Sequence, residues 1–201
     1  MSNTQMAIMK DTSVCVACYA CRVACQNHNG LPEDQTYLSL VFKEKGSFPN
    51  VEYHLARKSC IHCVNPTCAP ACPIGILHQN EHGFVNFVEG TNEPCIGCGL
   101  CVLACPIEGA LEMRDDKVYK CTGCEALVAD GQEPACVNTC IADALCYGSE
   151  EEMVEKARER LLQVEEKNTD AYLFGANSER TAARVISVLR SKPSDFELIK
   201  F

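Results

Sequence analysis

Tryptophan is missing from this chain, and aromatic residues make up only 6% of it. A core built on large rings is excluded, so the interior has to be filled by something smaller. Basic runs are missing too. Lys and Arg number 18 against 27 Asp and Glu, a formal net charge of −9. That argues against a nucleic-acid partner, because neutralising a phosphate backbone needs a basic face. No apolar stretch is long enough to cross a bilayer. Met1 to Val14 is mixed and polar, without the apolar centre of a signal peptide. The expectation is a chain with no transmembrane segment of its own, cytoplasmic, or periplasmic if a partner bearing the signal carries it across folded. No Cys-x-x-Cys-His occurs, which excludes covalent c-type haem. There is no glycine-rich phosphate loop, no nucleophile–base grouping and no open metal site, so the chain is not expected to be a catalyst by itself.

What the chain has is cysteine, 17 residues in 201. An odd count in a chain this long, without a signal peptide, fits a disulfide scaffold badly. Sixteen of them fall into four runs. Cys95, Cys98, Cys101 and Cys105 are spaced C-x2-C-x2-C-x3-C and followed by Pro106. That is the bacterial ferredoxin pattern, in which three close thiolates hold one [4Fe–4S] cluster and the fourth reaches a second one. Gly97 and Gly99 supply the left-handed backbone that such a tight loop demands. Cys15, Cys18, Cys21 and Cys25 repeat the spacing. Cys60, Cys63, Cys68 and Cys72 lengthen the middle gap by two residues and end in Pro73. Cys121, Cys124, Cys136 and Cys140 enlarge it to eleven.

The runs are an internal repeat. Cys72-Pro73-Ile74-Gly75-Ile76-Leu77, Cys105-Pro106-Ile107-Glu108-Gly109-Ala110-Leu111 and, more weakly, Cys140-Ile141-Ala142-Asp143-Ala144-Leu145 each read as a helical turn leading into a strand. Four ligands per cluster gives about four [4Fe–4S] clusters. The seventeenth cysteine, Cys146, reads as a small buried hydrophobe. A structural zinc protein is the rival reading, although one tetrahedral zinc would more usually show two separated C-x2-C pairs. His62 lies inside the second run and reads as a neighbour of a ligand or a surface residue. Arg57, Lys58 and Lys120 precede runs and would tune cluster potential, form a docking patch or be ordinary solvated charge.

The rest of the sequence gives a coarser pattern. Asn27 to Pro32 reads as a loop. Thr36 to Lys43 reads as a strand, with Tyr37, Leu38, Leu40, Val41 and Phe42 as burial candidates, and Gly46 to Asn50 as a turn. Phe84 to Val88 reads as a short strand, and Leu111–Met113 with Lys117–Tyr119 as a hairpin around Asp115-Asp116. Ser149 and Glu152 form a capping box opening an amphipathic helix to about Glu166, with Met153, Ala157 and Leu161 on one face and Val154 and Leu162 beside them. Ala171–Gly175 and Val185–Leu189 read as extended segments. The tail from Pro193 shows no strong pattern.

Four runs with these spacings, in this order, resemble the four-cluster iron–sulfur (beta) subunits of the dimethyl sulfoxide reductase family. Relatives include the iron–sulfur subunits of formate dehydrogenases and of polysulfide, thiosulfate and arsenate reductases. The likeness covers Thr12 to Gly148 and, more loosely, Val185 to Leu189; Ile141 stands where relatives carry proline. Spacing alone allows three pairings of the runs. The resemblance implies the nested one: an α+β chain of two bacterial ferredoxin-like units, 1–59 with 107–148 and 60–106, followed by a C-terminal helix and tail over 149–201. It assigns Cys15, Cys18, Cys21 and Cys140 to one cluster, and Cys121, Cys124, Cys136 and Cys25 to its mate. Cys95, Cys98, Cys101 and Cys72 would hold a third, and Cys60, Cys63, Cys68 and Cys105 a fourth. It implies that the Cys15 cluster faces a catalytic subunit and the Cys60 cluster lies at the distal end. The function implied is an electron-transfer subunit wiring a molybdenum or tungsten pterin subunit to another carrier, with a membrane anchor or a flavin or ferredoxin subunit as further partners. The alternative is a stand-alone or filament-forming polyferredoxin serving an aldehyde or formate oxidoreductase.

Overall fold

The computed structural model describes residues 4–176 and 182–200. In chain order the elements are β1 (Met6–Asp11), α1 (Ala20–His28), β2 (Leu38–Ser47), β3 (Asn50–Ser59), β4 (Leu77–Gln79) and β5 (Val85–Phe87). They continue with α2 (Leu100–Ala104), β6 (Leu111–Arg114), β7 (Lys117–Lys120), α3 (Glu125–Ala129) and α4 (Ala135–Asn138). The last are β8 (Leu145–Ser149), α5 (Glu150–Glu165), β9 (Tyr172–Phe174) and β10 (Val185–Leu189). The result is a mixed α/β chain of short helices and small sheets, compatible with ferredoxin-like [4Fe–4S] domains.

One four-stranded sheet, ordered β8-β1-β10-β9, divides the molecule. β1 sits inside it, parallel to β10 with Ile8 opposite Val185, and antiparallel to β8 with Ile8 opposite Tyr147. Side chains alternate between the faces of a strand. Ala7 and Met9 of β1, with Ile186 and Val188 of β10, pack on one face against Met153, Ala157 and Val164 of α5. Ile8, Val185 and Leu189 point the other way, into the interior that contains the cysteines. Lys10 falls in phase with Ile8, which sends a lysine toward the thiols. Met6–Asp11 carries no strand signal in the sequence. A central strand covered on both faces shows no polar alternation, and Lys10 interrupts the apolar run.

The remaining sheets are two-stranded hairpins: β2–β3, β4–β5 and β6–β7. β6 and β7 pair as expected, and Asp115 and Asp116 both take positive φ, 45° and 58°, as a tight primed turn requires. The strand expected over Thr36–Lys43 extends to Ser47 and pairs along its whole length with β3, a strand the sequence pattern does not predict. The outer end of that hairpin is charged and solvent-facing, so it carries no apolar alternation; Phe42, a burial candidate, is 48% exposed. α1 runs two residues into the expected loop, to His28. Ser149 and Glu152 cap α5 reciprocally, and the helix ends at Glu165. Val164 closes its buried face, while Leu162 is exposed. In the tail, Pro193–Phe196 forms a 3₁₀ turn that buries Phe196, and Ile199 bridges to Ile107. Phe201 lies outside the described residues. None of the described helices is long and apolar enough to cross a membrane.

Candidate metal centres

The repeat read from the sequence has a backbone counterpart. The residue before the second cysteine of each run is left-handed: Ala17 (φ 55°), His62 (50°), Gly97 (71°) and Gly123 (67°). Gly99 is left-handed as well, at 70°. Gly97 is also crowded, since a Cβ there would lie 2.8 Å from the Asp116 carbonyl oxygen. Ala17 and His62 take the same conformation against the preference of L-residues, so the loop geometry dominates local propensity. After the last cysteine of three runs the chain makes a hydrogen-bonded turn, not the helical turn expected. Gly75, Gly109 and Asp143, all at positive φ, then lead through one small or apolar residue to Leu77, Leu111 and Leu145, where β4, β6 and β8 begin.

These loops bring the cysteines together in groups. Cys15, Cys18, Cys21 and Cys140 line one cavity, with Lys10, Tyr19 and Arg57. Cys25, Cys121, Cys124 and Cys136 line a second, again with Arg57, and with Ile8 and Tyr37. Cys60, Cys63, Cys68 and Cys105 line a third, walled by Val85, Ile107 and Leu111. Cys72 and Cys95 lie close enough to Cys101 for charge on them to raise its thiol. Cys18 and Cys98 are exposed; the other fourteen are half-buried or buried.

The donor chemistry fits an iron–sulfur body better than a bare pocket. Burial pushes the thiols of Cys63, Cys68 and Cys124 up to about 12, and adjacent sulfurs push them the same way. Burial also raises Cys21, Cys25, Cys101, Cys105 and Cys121. Sulfurs packed like this can be thiolates together only when cations stand among them, as bound metal ions do. Yet among the described residues no three Cys, His, Asp or Glu side chains converge on a single-ion position. In three of the groups the four sulfurs are arranged around one cavity.

Buried cations stand among the sulfurs. Lys10, Arg57 and Lys120 are 3%, 8% and 1% exposed. Lys10 Nζ donates to the Arg57 carbonyl at 3.1 Å. Burial and the neighbouring Arg57 charge together depress its ammonium to about 7. Lys120 Nζ donates to the carbonyls of Val85 and Cys121, each at 2.5 Å. Arg57 and Lys120 are therefore neither solvated charge nor a docking patch, and Lys58 is half-buried. His62 is completely buried, against the edge of Phe84. Its Nδ1 accepts from the Val85 amide at 3.1 Å, which leaves the proton of the neutral ring on Nε2, 3.5 Å from the Cys121 sulfur. Burial and then Lys120 hold this imidazole well below the usual histidine range. His62 thus joins the second run to the fourth. Cys60 is among the groups whose charge bears on Cys121.

That junction bears on one expectation. The resemblance implies a distal Cys60 cluster, and the structure sets the second run beside Cys121 of the fourth. The run order along the chain cannot reveal this, since the contact forms between residues 59 positions apart. Cys146 departs from expectation. It is half-buried and accepts from Lys156 Nζ at 3.0 Å. Sequence reasoning misses Lys10, because a lone lysine in a short segment carries no signal of its neighbours.

Comparison with known proteins agrees with this chemistry. A 4Fe-4S dicluster domain matches residues 51–150. The chain is 34% identical over 180 residues to the nitrate-inducible formate dehydrogenase iron-sulfur subunit of Escherichia coli, covering 81% of this chain and 60% of that protein. It is 34% identical over 184 residues to the formate dehydrogenase-O iron-sulfur subunit of the same organism, covering 83% and 60%. Against the B subunit of the anaerobic dimethyl sulfoxide reductase of Escherichia coli it is 34% identical over 164 residues, 77% of this chain and 78% of that protein. The chain thus spans about three fifths of the formate dehydrogenase subunits it matches. On the cysteine repeat, the dicluster match and these identities together, it belongs to the [4Fe–4S] electron-transfer (beta) subunits of the dimethyl sulfoxide reductase family.

Proposed function

We propose that the chain carries four [4Fe–4S] clusters in two nested ferredoxin-like units and conducts electrons between a molybdenum or tungsten pterin subunit and a second carrier. The ligand sets are Cys15, Cys18, Cys21 and Cys140; Cys25, Cys121, Cys124 and Cys136; Cys60, Cys63, Cys68 and Cys105; and Cys72, Cys95, Cys98 and Cys101. The first unit comprises 1–59 and 107–148, the second 60–106, and 149–201 closes the first through the β8-β1-β10-β9 sheet. Each cluster, when bound, supplies a one-electron site, and the protein sets spacing and potential through burial, charge and sulfur hydrogen bonds.

The single observation that carries the reading is the nested grouping: three of the four sets each line one cavity, and none of these three cavities admits a cysteine of another set. The Cys121–His62–Cys60 neighbourhood favours a linear order, with the Cys15 and Cys72 sets at the two ends. Apolar side chains stand exposed beside each end, Val16 and Ile141 near one, Ile96 and Leu103 near the other. Surfaces of that kind suit docking partners. A reducing, cytoplasmic compartment belongs to the same reading, because free thiols persist there before metal loading.

Anaerobic purification from native cells tests the proposal. Brown protein with about sixteen irons per chain and a copurifying large subunit is the expected result. Iron and sulfide far below that level would end the four-cluster reading, and an iron-replete monomer without a partner would favour the stand-alone polyferredoxin.

A further inference from the structure

We propose that Arg57 is a counter-ion shared by two clusters, those of the Cys15 and Cys25 sets, and that it raises the potentials of this pair selectively. The inference rests on the four-cluster reading above. Arg57 is the one charged side chain that lines both cavities. It is 8% exposed, and its Nε and Nη1 have no hydrogen-bond partner. Among the described residues no ion pair includes Arg57, Lys10 or Lys120. Burying a guanidinium without a carboxylate is costly unless another anion compensates. The cysteine sulfurs whose charge bears most on it are those of Cys136, Cys21 and Cys121. Two of these belong to one set and the third to the other.

The backbone explains why the side chain stays there. Arg57 lies in β3 opposite Leu40, between Ala56 and Lys58, near the inner end of the long hairpin. Its carbonyl holds Lys10 Nζ, so the same residue that presents the guanidinium also fixes a second buried cation beside the first set. A planar guanidinium has five donors in a fork and can address two sulfur groups at once; a lysine ammonium cannot do so with the same geometry. Adding an electron to a thiolate-ligated cluster increases its negative charge, so a buried cation stabilises the reduced form. The effect falls off with distance, which confines it to the two sets that Arg57 touches.

The test is a redox titration of the full-length, cluster-loaded chain followed by electron paramagnetic resonance. Iron and sulfide are measured first on the unsubstituted protein. In Arg57→Met, two of the four midpoint potentials are expected to fall by at least tenfold in the reduction constant, about 59 mV for one electron, while the other two stay in place. If that variant does not retain its clusters, Arg57→Lys decides the matter. It keeps the charge but reaches one side, so one potential falls and three hold. Four unmoved potentials in either iron-replete variant, or four that shift together, overturn the role of Arg57. A deficit of iron in the unsubstituted chain would instead overturn the cluster reading itself.

Discussion

The two faces of the β8-β1-β10-β9 sheet are made from alternate residues of the same strands, yet they are held in different ways. On the α5 side, Ala7, Met9, Ile186 and Val188 meet Met153, Ala157 and Val164 in a closed hydrocarbon layer. α5 has sixteen residues and a reciprocal cap. On the other side the helices α2, α3 and α4 have four or five residues each, and the strands β4 and β5 three. Elements that short are marginal on their own. The interior they enclose contains thiols pushed toward neutrality and cations lacking carboxylate partners. Hydrocarbon burial is sufficient for one side, whereas the other is arranged for an inorganic occupant that supplies both cross-links and charge.

The strongest way to break this comparison is to remove the metal. Stripping iron from the loaded chain should abolish amide protection along the four cysteine runs while α5 and β10 keep theirs longer, as read by hydrogen exchange. Simultaneous loss on both sides would mean that they form one cooperative unit and that the contrast is false. A narrower cut is Cys121→Ser. It should cost about a quarter of the iron, four of roughly sixteen atoms, and leave the helical signal of α5 unchanged. Retention of all the iron would remove Cys121 from the ligand set.

Two substitutions sharpen the comparison from the hydrocarbon side. Ala157 is fully buried between α5 and the sheet, so Ala157→Leu overpacks it and should lower unfolding stability by about 1–3 kcal/mol. Iron content should not change, and a matching loss of iron would show that the two faces are coupled. Ser149→Ala removes the cap that accepts from the Glu152 amide. It should cost about 1 kcal/mol in denaturant titration, again with cluster content and potentials intact.

Much of the site was legible because its chemistry is written in spacing. The four C-x2-C starts, the glycines at 97 and 99 and the Ser149–Glu152 box are local signals, and each occurs where the local rule puts it. Less of the fold was legible. β1 is a central strand with both faces covered, so its sequence lacks the alternation that marks a half-exposed strand. β3 is charged at its outer end, and its pairing to β2 is what makes it a strand. Lys10 looks like an ordinary charge, and Arg57 has three possible roles, until the sheet and the hairpin carry them inward.

By itself, then, the sequence determined the kind of chemistry, because three thiols two residues apart can converge only through a tight left-handed loop, and such loops are encoded within a few residues. It also determined the one long helix, through its cap and apolar stripe. Only the tertiary structure decided which runs lie side by side and which residues stand between them. Those facts depend on contacts such as His62 with Cys121 and Lys10 with Arg57, and nothing local to either partner encodes the distance between them.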